Sequence, residues 1–222
     1  AGCHQTAVSS LKNMNQNHLW YLVGLIATDG NLSPDQRHIQ IVSKDYQILN
    51  DIKKCFDLNN KLGFKKSGYT KKFGAFTLTI GDVAFYKFLE SIGLHSKKSL
   101  TLAKIHVPTE YFNDLLRGII DGDGSIYCWT NNANNNIQWN LMIVSASHDF
   151  IYWLSEMINK LFDINGKIYS QQIRNTLMFR LRFGKLAAKQ ILKKCYYINC
   201  LVLQRKYLKA HHFINSRYGW SS

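Results

Sequence analysis

Two aspartates in this chain of 222 residues stand at the ends of matching apolar segments. Residues 22–30 read LVGLIATDG and residues 116–124 read LRGIIDGDG, which sets Asp29 and Asp123 at the same point of each. Gly24 and Thr28 lie four apart, as do Gly118 and Gly122, so on a helix each pair stacks on one face. Small residues there let two helix backbones come close, a rule best documented in membranes and borrowed here for a soluble pair. If the helices pack through that face, Asp29 and Asp123 meet at two adjacent helix C-termini. The last carbonyls there have no helical partner, and the dipole end is negative. Two carboxylates plus free carbonyls make a hard-oxygen cage suited to Mg²⁺ or Ca²⁺. A single segment of this kind reads as an apolar helix with a capped turn; two at matching places read as a site. DGDGS at 121–125 also suggests an EF-hand, but position twelve of that loop is Asn132 where the motif needs Glu.

The elements that must carry these acids repeat as well. Residues 40–64 parallel 142–168, and TLTIGDVAFYKFLESIG at 77–93 parallels RLRFGKLAAKQILKKCY at 180–196. Three matches in the same order indicate a duplicated chain. The join falls at His106-Val107-Pro108, where Pro108 ends one half and Thr109 is placed to cap the next helix. The expected organisation is a leader or tag remnant at 1–14, a first half at 15–107 and a second at 108–215. In each half a helix (17–29; 109–122) ends in the acid. Two strands (31–33 and 37–43; 125–130 and 137–145), a helix (45–57; 148–162), two more strands (61–68 and 73–81; 166–173 and 177–184) and a helix (82–93; 185–196) follow. A last helix is expected over 201–215. The expected class is α+β, with a twisted antiparallel sheet backed by helices in each half.

Charge points to the partner. The chain has 28 Lys and Arg against 14 Asp and Glu, a formal +14, with no acid after Asp163 and five lysines between Lys61 and Lys72. Such clustered fields attract polyanions, nucleic acid above all. In Arg180-Leu181-Arg182-Phe183 the arginines share one strand face, as Thr77, Thr79 and Gly81 do in the first half. Two solvated sheet faces of this kind suggest a groove for a duplex. The loop between Asn131 and Asn140 holds six asparagines, residues that form turns and that can also bond adenine. Apolar residues at 46% exclude disorder as the main state, and the longest apolar run, Trp20 to Ala27, is too short to span a bilayer. No charged segment followed by an apolar one stands at residues 1–14, so a signal peptide is not expected there. Five cysteines without a CxxC pair argue against a disulfide framework or a thiolate zinc site, and for a reducing compartment.

LVGLIATDG and LRGIIDGDG resemble the two motifs of a monomeric LAGLIDADG homing endonuclease. The resemblance runs from about residue 15 to 210 and includes the motif order, the αββαββα pattern of each half and the tail LVLQRKYLKA at 201–210. It implies two pseudo-twofold halves joined at the motif helices, with saddle-shaped antiparallel sheets forming a DNA-binding groove. It implies metal-dependent hydrolysis of both strands at a site of roughly 20 bp, about one helical turn for each half. Asp29 and Asp123 fall on the catalytic metal-binding acids, and Thr28 and Gly122 on positions that lend backbone carbonyls to metal. The basic residues around the attacking water fall on Lys44 and on Lys97-Lys98, with Lys98 preferred. The second half has Ser145-Ala146 and Tyr197-Ile198-Asn199 at those places, without a lysine. Asp121 stands opposite Ala27 and takes no catalytic role. The expected metal is Mg²⁺, with Ca²⁺ or Mn²⁺ able to substitute. Candidate DNA contacts are Arg37, Lys61, Lys65, Lys66, Lys71, Lys72, Asn131, Asn135, Gln138, Arg174, Arg180 and Arg182. The expected partner is double-stranded DNA bound by a monomer, with no membrane. Two other readings use the same scaffold: an intron maturase that binds RNA, and a DNA-binding regulator without cleavage. The Asn, Lys, Ile and Tyr content suits an AT-rich genome, hence the expectation of an intracellular, organellar setting such as mitochondrion or chloroplast.

Overall fold

The computed structural model describes residues 14–66, 74–96, 98–133 and 135–216. The first helix, α1 (Gln16–Asp29), starts where the Asn15 side chain accepts from the Asn17 and His18 amides, as an N-cap does. Its buried face is nearly its whole surface: Leu19 to Ala27 are all buried. Then come β1 (Gly30–Leu32), β2 (His38–Ser43), α2 (Tyr46–Cys55), β3 (Gly63–Lys66), β4 (Gly74–Gly81), α3 (Val83–Ser91) and a short α4 (Lys98–Thr101). The second half repeats the order with α5 (Phe112–Asp123), β5 (Gly124–Thr130), β6 (Ile137–Ser145), α6 (His148–Phe162), β7 (Lys167–Ile173), β8 (Thr176–Phe183) and α7 (Lys185–Cys195), and closes with α8 (Gln204–Asn215).

The fold is α+β, with two four-stranded antiparallel sheets of identical strand order, β1-β2-β4-β3 and β5-β6-β8-β7. Period-two alternation sorts each sheet into a packed and an open face. In the first, Ile39 faces Ile80 and Ile41 faces Leu78 on the packed side. In the second, Leu141, Ile143, Leu181 and Phe183 do the same. Opposite them, Gln40 pairs with Thr79 and Val42 with Thr77, while Met142 pairs with Arg182 and Val144 with Arg180. The helices cover the packed faces, and one continuous apolar core joins the halves through α1 and α5. No helix of the described residues is long and apolar enough to cross a membrane.

Two helices start three residues later than expected. The helix expected from residue 109 begins with a 3₁₀ turn, Thr109–Tyr111, before α5 starts at Phe112; Pro108 holds the N-cap position and no side chain caps it, so Thr109 is not the cap. The helix expected from 201 begins only at Gln204. Residues 201–203 run extended because their backbone is bonded elsewhere: Leu201 O accepts from Arg117 Nε and Leu203 N donates to Asp121. The turn of helix α4 was not expected.

Candidate active site

α1 and α5 cross at their glycines. A Cβ on Gly24 would lie 3.0 Å from Gly118 Cα, and one on Gly118 would lie 2.9 Å from Gly24 Cα and 2.8 Å from Leu25 N. Only glycine at both points permits this approach. One turn on, Thr28 sits against Gly122, where a Cβ would meet Thr28 Cβ at 2.6 Å. The four small residues expected to form the contact therefore do so, and both helices end together at Asp29 and Asp123.

The two carboxyls sit in a field of their own making. Asp123 is pushed up to about 6, first by burial and then by the negative charge of Asp29, against the pull of Lys206 and Lys98. Asp29 is also raised, by burial, opposed by Lys206, Arg205 and Lys98. Two carboxylates that repel each other in a partly desolvated place stabilise any cation that enters between them. Among the described residues no three His, Cys, Asp or Glu side chains gather as a metal site. The donor set is thus two hard oxygen groups, which suits an oxygen-liganded divalent ion that keeps water or phosphate in its other positions.

Two lysines serve the helix ends, one from each half. Lys98, only 6% exposed, donates from Nζ to Gly30 O just past α1. Lys206 donates to Ile120 O at 2.7 Å, Asp121 O at 2.6 Å and Gly122 O at 2.9 Å, closing the end of α5. A cation at a helix C-terminus is favourable for both the orphan carbonyls and the dipole. Burial lowers both amines to about 8, partly offset for Lys98 by Asp123 and Asp29 and for Lys206 by Asp121. The second half therefore does bring a lysine, from the tail and not from Tyr197–Asn199. It lies inside LVLQRKYLKA, where no local pattern marks it as a partner of the acids.

The clefts flanking the acids are unlike. One, beside Asp123, is lined by Thr28, Lys98, Leu102, Val144, Phe150 and Met178. The other is lined by Asp123, Ser125, Tyr127, Arg205, Lys206 and Lys209. Arg205 Nε also reaches across to Asp45 Oδ2 of the first half, 3.0 Å away.

A buried polar cluster holds the tail that carries Lys206. Asp121 accepts from Tyr196 OH at 2.6 Å, Leu203 N at 2.7 Å and Tyr21 OH at 2.9 Å. Arg117, fully buried, donates to Leu201 O, Cys195 O and Asp114 Oδ1 and lies between the Tyr21 and Tyr197 rings. Tyr197 OH also donates to Asp114. Asp121 is thus a positioning group for the tail.

The other expected site residues spread as follows. Thr28 commits its hydroxyl to Leu25 O and Gly24 O within α1. Gly122 O, expected to face metal, accepts from Lys206. Lys44 is exposed, and the positive charges that act on Asp29 and Asp123 are Lys206, Lys98 and Arg205. Lys97 lies outside the described residues, as do Lys71, Lys72 and the side chain of Lys66. Lys65 is at an open-face position opposite Ala75, Lys61 is exposed ahead of β3, and Arg37 is exposed before β2. Gln138 pairs with Trp129, and Asn131 and Asn135 lie in the β5–β6 loop, Asn135 with φ +53°. Arg174 forms the β7–β8 turn with φ +52°, while Arg180 and Arg182 stand on the open face.

Residues 16–93 match the family model of the LAGLIDADG-like domain. That segment, the first half of the repeat, is LAGLIDADG-like. The solved structures agree in fold over both halves. Meganuclease I-SmaMI bound to uncleavable DNA is 12% identical with a TM-score of 0.59, covering 90% of each chain. The I-DmoI complex with DNA and Ca is 12% identical with a TM-score of 0.57, covering 88% of this chain and 98% of that one. Full-length DUF199/WhiA from Thermatoga maritima is 17% identical with a TM-score of 0.56; 96% of this chain spans 66% of that protein's length. No curated protein sequence matches the chain. The matched segment contains α1 and Asp29; α5 and Asp123 lie beyond it and correspond to them through the repeat.

Proposed function

We propose that this protein is a metal-dependent, site-specific endonuclease of the homing type, acting on both strands of duplex DNA. The observation that carries the reading is the convergence of Asp29 and Asp123 at two helix ends locked by a glycine-to-glycine contact. The solved relatives support it: two are nucleases crystallised on DNA, one of them with Ca.

Asp29 and Asp123 would hold a divalent cation, Mg²⁺ by preference, which supplies an activated water and charge neutralisation at the leaving 3′-oxygen. The rest of the chemistry belongs to the chain. Lys98 and Lys206 stand beside the acids, and their lowered basicity keeps them near their charge-change point close to neutral pH. Arg205 and Lys209 add positive charge to one cleft, where a phosphodiester's negative charge would lie. The open sheet faces present hydrogen-bonding and basic side chains at the spacing of a strand, which suits the width of a major groove. The protein would act as a monomer, since both acids come from one chain.

The test is cleavage of a plasmid library with randomised inserts in Mg²⁺. Asp29→Asn and Asp123→Asn should reduce cleavage to background while duplex binding persists. Wild-type cutting of both strands by either variant sinks the site. Binding by the unaltered protein without any cleavage would instead favour a DNA-binding role on the same scaffold.

A further inference from the structure

The open face of the second sheet carries two arginines whose surroundings differ from those of the other buried or paired arginines. Arg117 has Asp114, and Arg205 has Asp45. Arg180 and Arg182 have no carboxylate partner among the described residues, and no acid follows Asp163 in sequence. Arg182 is held in place by neutral groups. Its guanidinium lies over the Trp129 ring, 5.8 Å from the centroid. Its Nε and Nη2 reach the Asn140 amide oxygen at 3.1 and 3.2 Å, in the amide orientation that satisfies both residues. That arrangement leaves the Nη1–Nη2 edge for another acceptor. Arg180, two residues earlier, sits between Val144 and Tyr169 on the same face. Its Nε is buried and has no hydrogen-bond partner among the described residues.

The spacing says what acceptor fits both. Residues i and i+2 of a strand lie about 6.7 Å apart on one face. Stacked bases rise about 3.4 Å each, so the two guanidiniums match alternate base pairs along a groove. Guanine offers O6 and N7 together in the major groove, the acceptor pair that an arginine fork fits. We infer that Arg180 and Arg182 read two guanines two base steps apart in the half-site beneath the second sheet, with Trp129 and Asn140 holding Arg182 in its reading pose. The inference rests on the endonuclease reading for its duplex. Among the described residues the first sheet has no arginine pair: its open face presents Gln40, Thr77 and Thr79, with Lys65 on the edge strand.

The experiment is binding-site selection by the full chain from a duplex library randomised over about 20 bp, in Ca²⁺ and at fixed salt. The expected product has two guanines spaced by two steps in one half-site only. Arg180→Ala should remove the preference at one of them and Arg182→Ala at the other, each weakening binding to the selected duplex by about 5- to 150-fold. Arg182→Lys keeps the charge and should still lose the guanine preference, because lysine has no fork. Asn140→Ala should loosen selection at the Arg182 position alone. Selected duplexes without guanines at that spacing, or a guanine preference unchanged in both alanine variants, overturn the pairing while leaving duplex binding intact. No retained duplex at all overturns both this inference and the endonuclease reading; every variant's fold is checked by its thermal unfolding.

Discussion

Position by position, α5 carries Asp114, Arg117 and Asp121 where α1 carries Trp20, Val23 and Ala27. All six are buried. Both helices make the same glycine contact and end in the same acid, yet at these three positions one carries apolar side chains and the other a charged network. Apolar packing is non-directional and tolerates small shifts. A buried network fixes angles and leaves high penalties for any missing member. The difference follows what each helix must hold. In the first half, Lys98 comes from a segment seated by Leu94, Leu102 and Ile105. In the second, the tail that delivers Lys206 is tied by Arg117 and Asp121 at Cys195, Leu201 and Leu203. Symmetric chemistry at the acids is thus reached by unlike supports.

The largest effect expected from this contrast is at Asp114. Asp114→Ala leaves a fully buried Arg117 without its carboxylate and should cost about 3–5 kcal/mol, read as a shift in the denaturant midpoint. Val23→Ala, at the counterpart of Arg117, should cost clearly less; equal losses would erase the distinction between the helices. Next come the glycines, where the halves should agree. Gly24→Ala and Gly118→Ala both force a methyl against backbone, so each should cost about 1–3 kcal/mol and lower Tm by about 2–4 °C per kcal/mol. A marked inequality between them would mean that the contact is not shared.

A pH series sharpens the comparison at the acids. In the metal-free protein Asp123 should titrate near 6 by NMR, and Asp29→Asn should lower that value by removing the like charge. An acid whose folded pKa stands above its unfolded one binds protons better when folded. Stability should therefore fall as pH rises from about 4 through about 6, and Asp123→Asn should flatten that slope. A slope of the opposite sign would show that the carboxyl is stabilised by its lysines more than it is opposed by burial. The smallest effect is expected at Asp45. It occupies the N-cap of α2 without capping it, whereas Ser147 at the matching place accepts from Phe150 N. Asp45→Ser exchanges an exposed ion pair for a cap, so thermal stability should change by about 1 kcal/mol or less.

Much of this was legible in the residues because it rests on local period and on repetition. The glycine spacing of α1 and α5 foretold the crossing, and the alternation in β8 foretold which face Arg180 and Arg182 take. Lys206 was not legible. Its place depends on Leu201–Leu203 running extended, and that is enforced by Arg117 and Asp121 more than eighty residues earlier. No local pattern reports a constraint of that range. The same holds for the start of α5, where a 3₁₀ turn takes the residues that read as a helical cap. Lys44 illustrates the reverse case: the family resemblance placed it beside the attacking water, but the charges that act on the acids come from other elements.

The backbone contact between Gly24 and Gly118 leaves no slack between the two acids. Neither carboxyl can travel toward a distant phosphate without pulling its whole helix from the core. On the proposed reaction, then, the accommodation falls to the nucleic acid, whose two scissile bonds must be drawn to one fixed point. Steps that bend easily would be cut faster than stiff ones of equal affinity. Preference would then arise at central base pairs that no side chain touches.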